Sequence, residues 1–129
     1  MSYHITRTVG MTFDATVAKV TDELKKEGFG VLTEIDVQST LKKKIDVEFR
    51  RYLILGACNP SLAHRALSAQ DKVGVLLPCN VVVQERMDGE GVEVSAMNPA
   101  AAMAVIDDDE VGRVVEEVRE KLERVMEAV

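Results

Sequence analysis

The sequence predicts an α+β fold: a single compact domain over residues 1–129, with a five-stranded, mainly antiparallel sheet and covering helices. Three observations carry that expectation. Strand-like and helix-like stretches follow the order β-α-β-α-β-α-β-β-α-α, which is mixed rather than strictly alternating. The turn Asp88-Gly89-Glu90-Gly91 separates two valine-rich runs and marks a hairpin. A chain of 129 residues with 47 % hydrophobic content can close one core, hiding roughly two-thirds of its unfolded surface.

Residues 3–9 alternate and are rich in β-branched side chains, so they predict the first strand, ended by Gly10. Thr12 is the expected N-cap of a helix in which Phe13, Val17, Val20 and Leu24 recur on one side and Gly28 marks the stop. Phe29, Val31, Thr33 and Ile35 should share one face of the second strand, which closes near Asp36. Ser39 or Thr40 is the expected cap of a short helix through Lys42, Lys43 and Lys44. Residues 49–57 read as a third strand, its apolar second half buried on both faces or central.

Asn59 and Pro60 form the cap and first residue of the next helix, with Leu62, Ala63, Ala66 and Leu67 turned inward. Val75-Leu76-Leu77 and Val81-Val82-Val83 read as one strand broken by Pro78, which points to an edge or a bulge. The fifth strand runs from Val92 to Met97. Asn98-Pro99 repeats the helix start and opens a short alanine-rich helix. The closing helix begins near Asp107, with acidic residues at its positive end. Its stripe comprises Val111, Val114, Val115, Val118, Leu122, Val125, Met126 and Val129. Glu117 with Lys121 and Glu120 with Arg124 have the spacing of ion pairs on its outer side.

Composition narrows the function classes. The net charge of −6 argues against nucleic acid as a partner, and 4 % aromatics without tryptophan argues against a base-stacking surface. The longest uncharged stretch, Val73 to Gln84, is too short and too interrupted to span a bilayer, so no membrane partner is expected. The first residues carry no apolar run and the chain has only two cysteines. The expectation is a reduced, cytoplasmic protein.

Those two cysteines sit in a repeated dipeptide, Cys58-Asn59 and Cys79-Asn80. Cys58 ends an apolar strand just before a helix N-terminus, where backbone N–H groups and the dipole favour a thiolate. His64, one turn into that helix, has the chemistry of an acid–base partner or a further ligand. Cys79 follows Pro78 and faces Cys58 if their strands are neighbours. The candidate ligand-binding set is therefore Cys58, Asn59, His64, Cys79 and Asn80. The plain alternative is that both cysteines fill the core, Asn59 only caps, and His64 is a surface residue. The spacing Cys-x5-His-x14-Cys matches no zinc pattern.

Gly56-Ala57-Cys58-Asn59-Pro60 is a weak match to a nucleophile elbow, lacking the second glycine and any acidic partner for His64. An anion at the same helix start, near Ser61, His64 and Arg65, is a further weak reading. Lys42, Lys43, Lys44, Arg50 and Arg51 read as a solvated basic face, Asp36 as a turn residue, and Asp107 to Glu110 as a helix start.

Several of these segments together resemble the bacterial and archaeal family catalogued as domain of unknown function 302. They are Glu27-Gly28-Phe29-Gly30-Val31-Leu32, Ile35-Asp36-Val37-Gln38, Ile54 through Pro60, Ala63-His64-Arg65-Ala66-Leu67 and Leu76 through Val81. The matching stretch runs from about Phe13 to Pro99 and leaves out the closing helix. What the resemblance implies is a compact α+β domain that dimerises and has no established activity. A homodimer is also expected because the stripe of the last helix is wide enough to pack on more than one surface. The functional reading is binding of a small ligand or soft metal ion through a Cys-Asn thiol site. Two alternatives stand beside it: a thiol-dependent exchange or transfer enzyme, and a structural or dimerisation domain with core cysteines.

Overall fold

The computed structural model describes residues 2–129, and its centre is an antiparallel sheet in the order β1-β5-β4-β3-β2. The strands are β1 (His4–Val9), β2 (Gly30–Asp36), β3 (Tyr52–Cys58), β4 (Cys79–Glu85) and β5 (Val92–Met97). Helices α1 (Phe13–Lys26), α2 (Val37–Ile45), α3 (Pro60–Ala69), α4 (Pro99–Ala102) and α5 (Asp109–Ala128) connect and cover them. The α+β class and the antiparallel sheet are as the sequence predicts.

One face of the sheet makes the core. Leu55 and Ala57 of β3, Cys79, Val81 and Val83 of β4, and Val92, Val94 and Ala96 of β5 point to the same side. There they meet Phe13, Val20 and Leu24 of α1, Leu62 and Ala66 of α3, and the α5 stripe. Val111, Val114, Val118, Leu122, Val125 and Met126 of that stripe are buried inside the chain, so α5 has no broad apolar surface left for a partner helix. The other sheet face carries Thr6, Tyr52, Ile54, Asn80, Val82, Gln84, Glu93, Ser95 and Met97, each exposed or half-buried.

The caps are mostly those the residue types dictate. Thr12 accepts from the Ala15 amide, Asn59 from Leu62, Asn98 from Ala100 and Asp108 from Val111. Helix α2 differs from expectation: its cap is Asp36, which accepts from the Ser39 amide, so Ser39 lies within the first turn. At the far end of α5, Arg7 of β1 donates to the carbonyls of Met126 and Glu127, placing a cation against the negative helix terminus.

The structure corrects several further expectations. The register of β2 on β3 steps between Val31 and Thr33, leaving Leu32 unpaired and 69 % exposed. That one extra residue reverses the strand's parity. Phe29 and Val31 reach the core, whereas Thr33 and Ile35 emerge on the open face beside Gly56 and Ile54. Strand β3 starts at Tyr52 rather than residue 49. Arg50 lies over the Phe49 ring, and the Arg51 amide bonds to the Glu85 carboxylate. Val75 and Leu76 are not strand: Asp71–Leu76 is a 3-10 helix, and Val75 is exposed. Strand β4 is the middle strand rather than an edge, and Pro78 is tolerated because it stands just outside the ladder. Leu67, expected to turn inward, is 40 % exposed. On α5, Glu117 pairs with Arg65 of α3 and Arg124 with Glu27 at the end of α1; these cross-element partners replace the expected pairs along the helix.

Gly56 has a steric reason to be glycine. A Cβ there would lie 2.1 Å from the Thr33 hydroxyl and 2.9 Å from the Pro78 ring. Gly56→Ala should lower stability by about 1–3 kcal/mol, read as a fall in the urea midpoint. Adding Thr33→Ala should recover part of that loss, because the rigid proline ring remains in the way. A Gly56→Ala midpoint equal to the parent's would contradict the close packing.

Candidate functional site

Both cysteines lie at the same end of the sheet because their strands are neighbours. Cys58 is the last residue of β3, Cys79 the first of β4, and Cys79 pairs directly with Ala57. Helix α3 leaves from Cys58 through Asn59, and α5 crosses above it. Between these elements lies a pocket of about 30 Å³, lined by Cys58, Cys79, Phe29, Leu62, Met103 and Val114 among other side chains. That volume holds about one water, well below the several hundred Å³ of ordinary small-molecule sites.

The lining is almost wholly apolar. Its one polar side chain, Asn59, is already engaged: the amide donates to the Glu27 carbonyl at 3.3 Å while its oxygen accepts from Leu62 at 3.3 Å. Gly28 makes room for this. It sits in the left-handed region at φ +85°, and a Cβ on it would come within 3.0 Å of the Asn59 amide nitrogen. Asn59 thus ties the start of α3 to the turn between α1 and β2, holding Cys58 in place from the chain side.

The two thiols are unequal. Cys79 is only 5 % exposed, and burial, with a smaller contribution from neighbouring Cys58, pushes its pKa up to about 11. Cys58 is half-buried. Of the five residues singled out from sequence, Cys58, Asn59 and Cys79 line this pocket. His64 does not: it is exposed on α3. Asn80 is also apart, since alternation along β4 sends it to the opposite sheet face, beside Tyr52 and Ser95.

Arg65 is held by Glu110 and Glu117 of α5, which clamps α3 onto the pocket's cover instead of offering a free cation to an anion. Met103, Phe29 and the α5 valines were not legible as pocket residues. They come from distant segments, and nothing in their local sequence marks a shared destination. Among the described residues no cluster of three His, Cys, Asp or Glu side chains is placed to hold a metal ion. Among the described residues no helix is long and apolar enough to cross a membrane.

Comparison with known proteins agrees with this architecture. The family model described as "Domain of unknown function DUF302" matches residues 5–129, closing helix included. The chain belongs to the DUF302 family. Among solved structures, it is similar to the crystal structure of an uncharacterized conserved DUF302 protein from Bacillus stearothermophilus. The two share 26 % identity, 99 % of this chain and 98 % of that one are covered, and the TM-score is 0.90. No curated protein matches. The DUF302 frame therefore spans both Cys-Asn motifs and the α5 cover, and it brings no established activity with it.

A raised thiol pKa couples Cys79 to stability. The folded chain holds this proton more tightly than the unfolded chain, whose thiol titrates near 9.0. The resulting stability is complete below pH 9 and is lost as pH rises toward 11, by about 2–3 kcal/mol. Urea midpoints should therefore fall more steeply over that interval in the parent than in Cys79→Val. Identical slopes would remove the burial argument.

Proposed function

We propose that this DUF302 chain binds a single soft atom or ion through the thiols of Cys58 and Cys79. The observation that supports the reading is the pairing of both cysteines on one apolar pocket with room for about one water. An organic ligand of ordinary size does not fit that space, whereas a thiophilic ion or a sulfur atom does. Asn59 acts as a positioning residue for Cys58, and His64 and Asn80 take no part. A reduced, cytoplasmic setting belongs to the same proposal, because it keeps the pair as thiols.

The inequality of the thiols favours a second reading, thiol-dependent exchange or transfer. An accessible Cys58 would attack and a buried Cys79 would resolve. A domain whose cysteines only pack is the opposing outcome. One equivalent of Hg(II) on the reduced chain should protect both cysteines from alkylation and raise the unfolding temperature by about 10 °C. Cys58→Ser should lose both effects. Equal protection in Cys58→Ser, or thiols that react only after unfolding, would leave the cysteines as packing.

We also propose that the chain forms a homodimer through its open sheet face. Support comes from Ile54, Val82 and Met97, apolar side chains left half-buried there, and from a rim whose charges balance, with Arg50 and Arg86 against Asp88 and Glu93. A chain of net charge −6 meets its copy with least repulsion on such a face. Sedimentation should show a dimer that Val82→Glu converts to monomer. A parent that stays monomeric at high micromolar concentration overturns this.

A further inference from the structure

We propose that helix α2 of each copy docks on the open sheet face of the other, its lysines meeting Glu93 of the second copy. The inference rests on the open-face dimer proposed above and adds the element and the charges that fix how two copies meet. Its basis is a stretch of chain with nothing to cover it. Not one of the nine residues of α2 is buried, and from Leu32 to Glu48 only Val37 and Leu41 are even half-buried. Isolated helices shorter than about 12–15 residues are marginal in water, so packing of an apolar side normally holds them. Helix α2 has such a side in Val37, Leu41 and Ile45, at successive four-residue steps, and Ile45 is 63 % exposed.

The uncovered helix adjoins the uncovered face. Ile35, just before the cap Asp36, emerges on the open face in one cross-strand row with Ile54 and Val82. On the other side of α2, Gln38 donates to the Phe49 carbonyl at 3.0 Å, and the Phe49 ring lies 6.1 Å from the Tyr52 ring, at the corner of the same face. Charge then selects the occupant. Helix α2 carries Lys42, Lys43 and Lys44 and no acid, in a chain of net charge −6. Lys42 is held by Asp46 and Glu48, whereas Lys43 and Lys44 have no ion-pair partner among the described residues. Glu93 is the one acid among the strand residues that point to the open face, and it too lacks an ion-pair partner among the described residues. An acidic partner of another kind would answer the lysines and leave Glu93 alone; a second copy answers both.

Symmetry brings these groups together. Strand β4 is the middle strand, so a two-fold axis along it, between two sheets set face to face, exchanges the β2–β3 side with the β5–β1 side. Such an axis leaves each residue's level along the strands unchanged. Glu93 pairs with Gln84 and Gln84 with Tyr52, so Glu93 lies at the level of Tyr52. Helix α2 starts at that level as well, because Asp36 pairs with Leu53, the neighbour of Tyr52. Each contact is made twice, once from each copy, and the apolar side of α2 is covered in the same step.

The test is sedimentation of the reduced full chain and its variants over a concentration series. Ile45→Asp should weaken the dimer at least tenfold. Because Ile45 is exposed within its own chain, this variant should unfold with the parent at concentrations where both are monomeric. Reversing the charges of Lys43 and Lys44 to glutamate, or changing Glu93→Lys, should each weaken the dimer at least tenfold at low salt, and the triple variant should recover most of that loss. A dimer that Val82→Glu breaks but the α2 variants leave unchanged would overturn the role of α2 while the open-face reading stands. Charge reversals that weaken the dimer without recovery in the triple variant would overturn the pairing with Glu93. A parent that stays monomeric, or a dimer that Val82→Glu leaves intact, removes both readings.

Discussion

A sheet covered on one side only buries the strand residues of one parity and leaves the other parity open, and this rule organises the rest of the molecule. With helices α1, α3 and α5 on one face, Val81, Val83, Val92, Val94, Leu55 and Ala57 have no choice of direction. Parity also sorts the candidate site. Cys79 has the same parity as Val81 and Val83 and is therefore buried; Asn80 has the opposite parity and faces out. The repeated Cys-Asn dipeptide consequently does two different things. In its first copy Asn59 leaves the strand and caps a helix, while in its second Asn80 stays in a strand and points away from its own cysteine.

How far the sequence could be read follows from which signals are local. Helix starts were legible because a cap and the residue it bonds lie three positions apart, as at Thr12, Asn59 and Asp108. The β4–β5 hairpin was legible for the same reason. The β2 faces were not, since a single unpaired residue at Leu32 reverses the alternation and nothing in Val31-Leu32-Thr33 announces it. The position of β4 was not legible because Pro78 reads as part of the strand, whereas it stands immediately before Cys79, outside the ladder, where its missing N–H costs a middle strand nothing. Ion pairs on α5 went to partners on other elements, Arg65 and Glu27, which no spacing rule along one helix can anticipate.

The candidate site divides along the same line. Cys58, Asn59 and Cys79 could be singled out because they are rare or cap-forming residues in a repeated pattern. Their meeting depends on β3 and β4 being neighbours, which a hairpin-free connection through α3 and the 3-10 helix does not reveal. Met103 and the valines of α5 enter the pocket from the other end of the chain. His64 looked suitable by chemistry and fails by helical phase: α3 turns Leu62 and Ala66 toward the core and leaves His64 outside.

The unpaired Leu32 has one more effect, on how copies of the chain can meet. Strand β2 is an outer strand, and a straight outer strand offers a row of backbone groups onto which another molecule's strand can add. The irregular spacing at Leu32 interrupts that row, so strand-by-strand growth into long aggregates finds no continuous template along this side. The molecule tolerates an exposed leucine and in return its sheet ends at five strands.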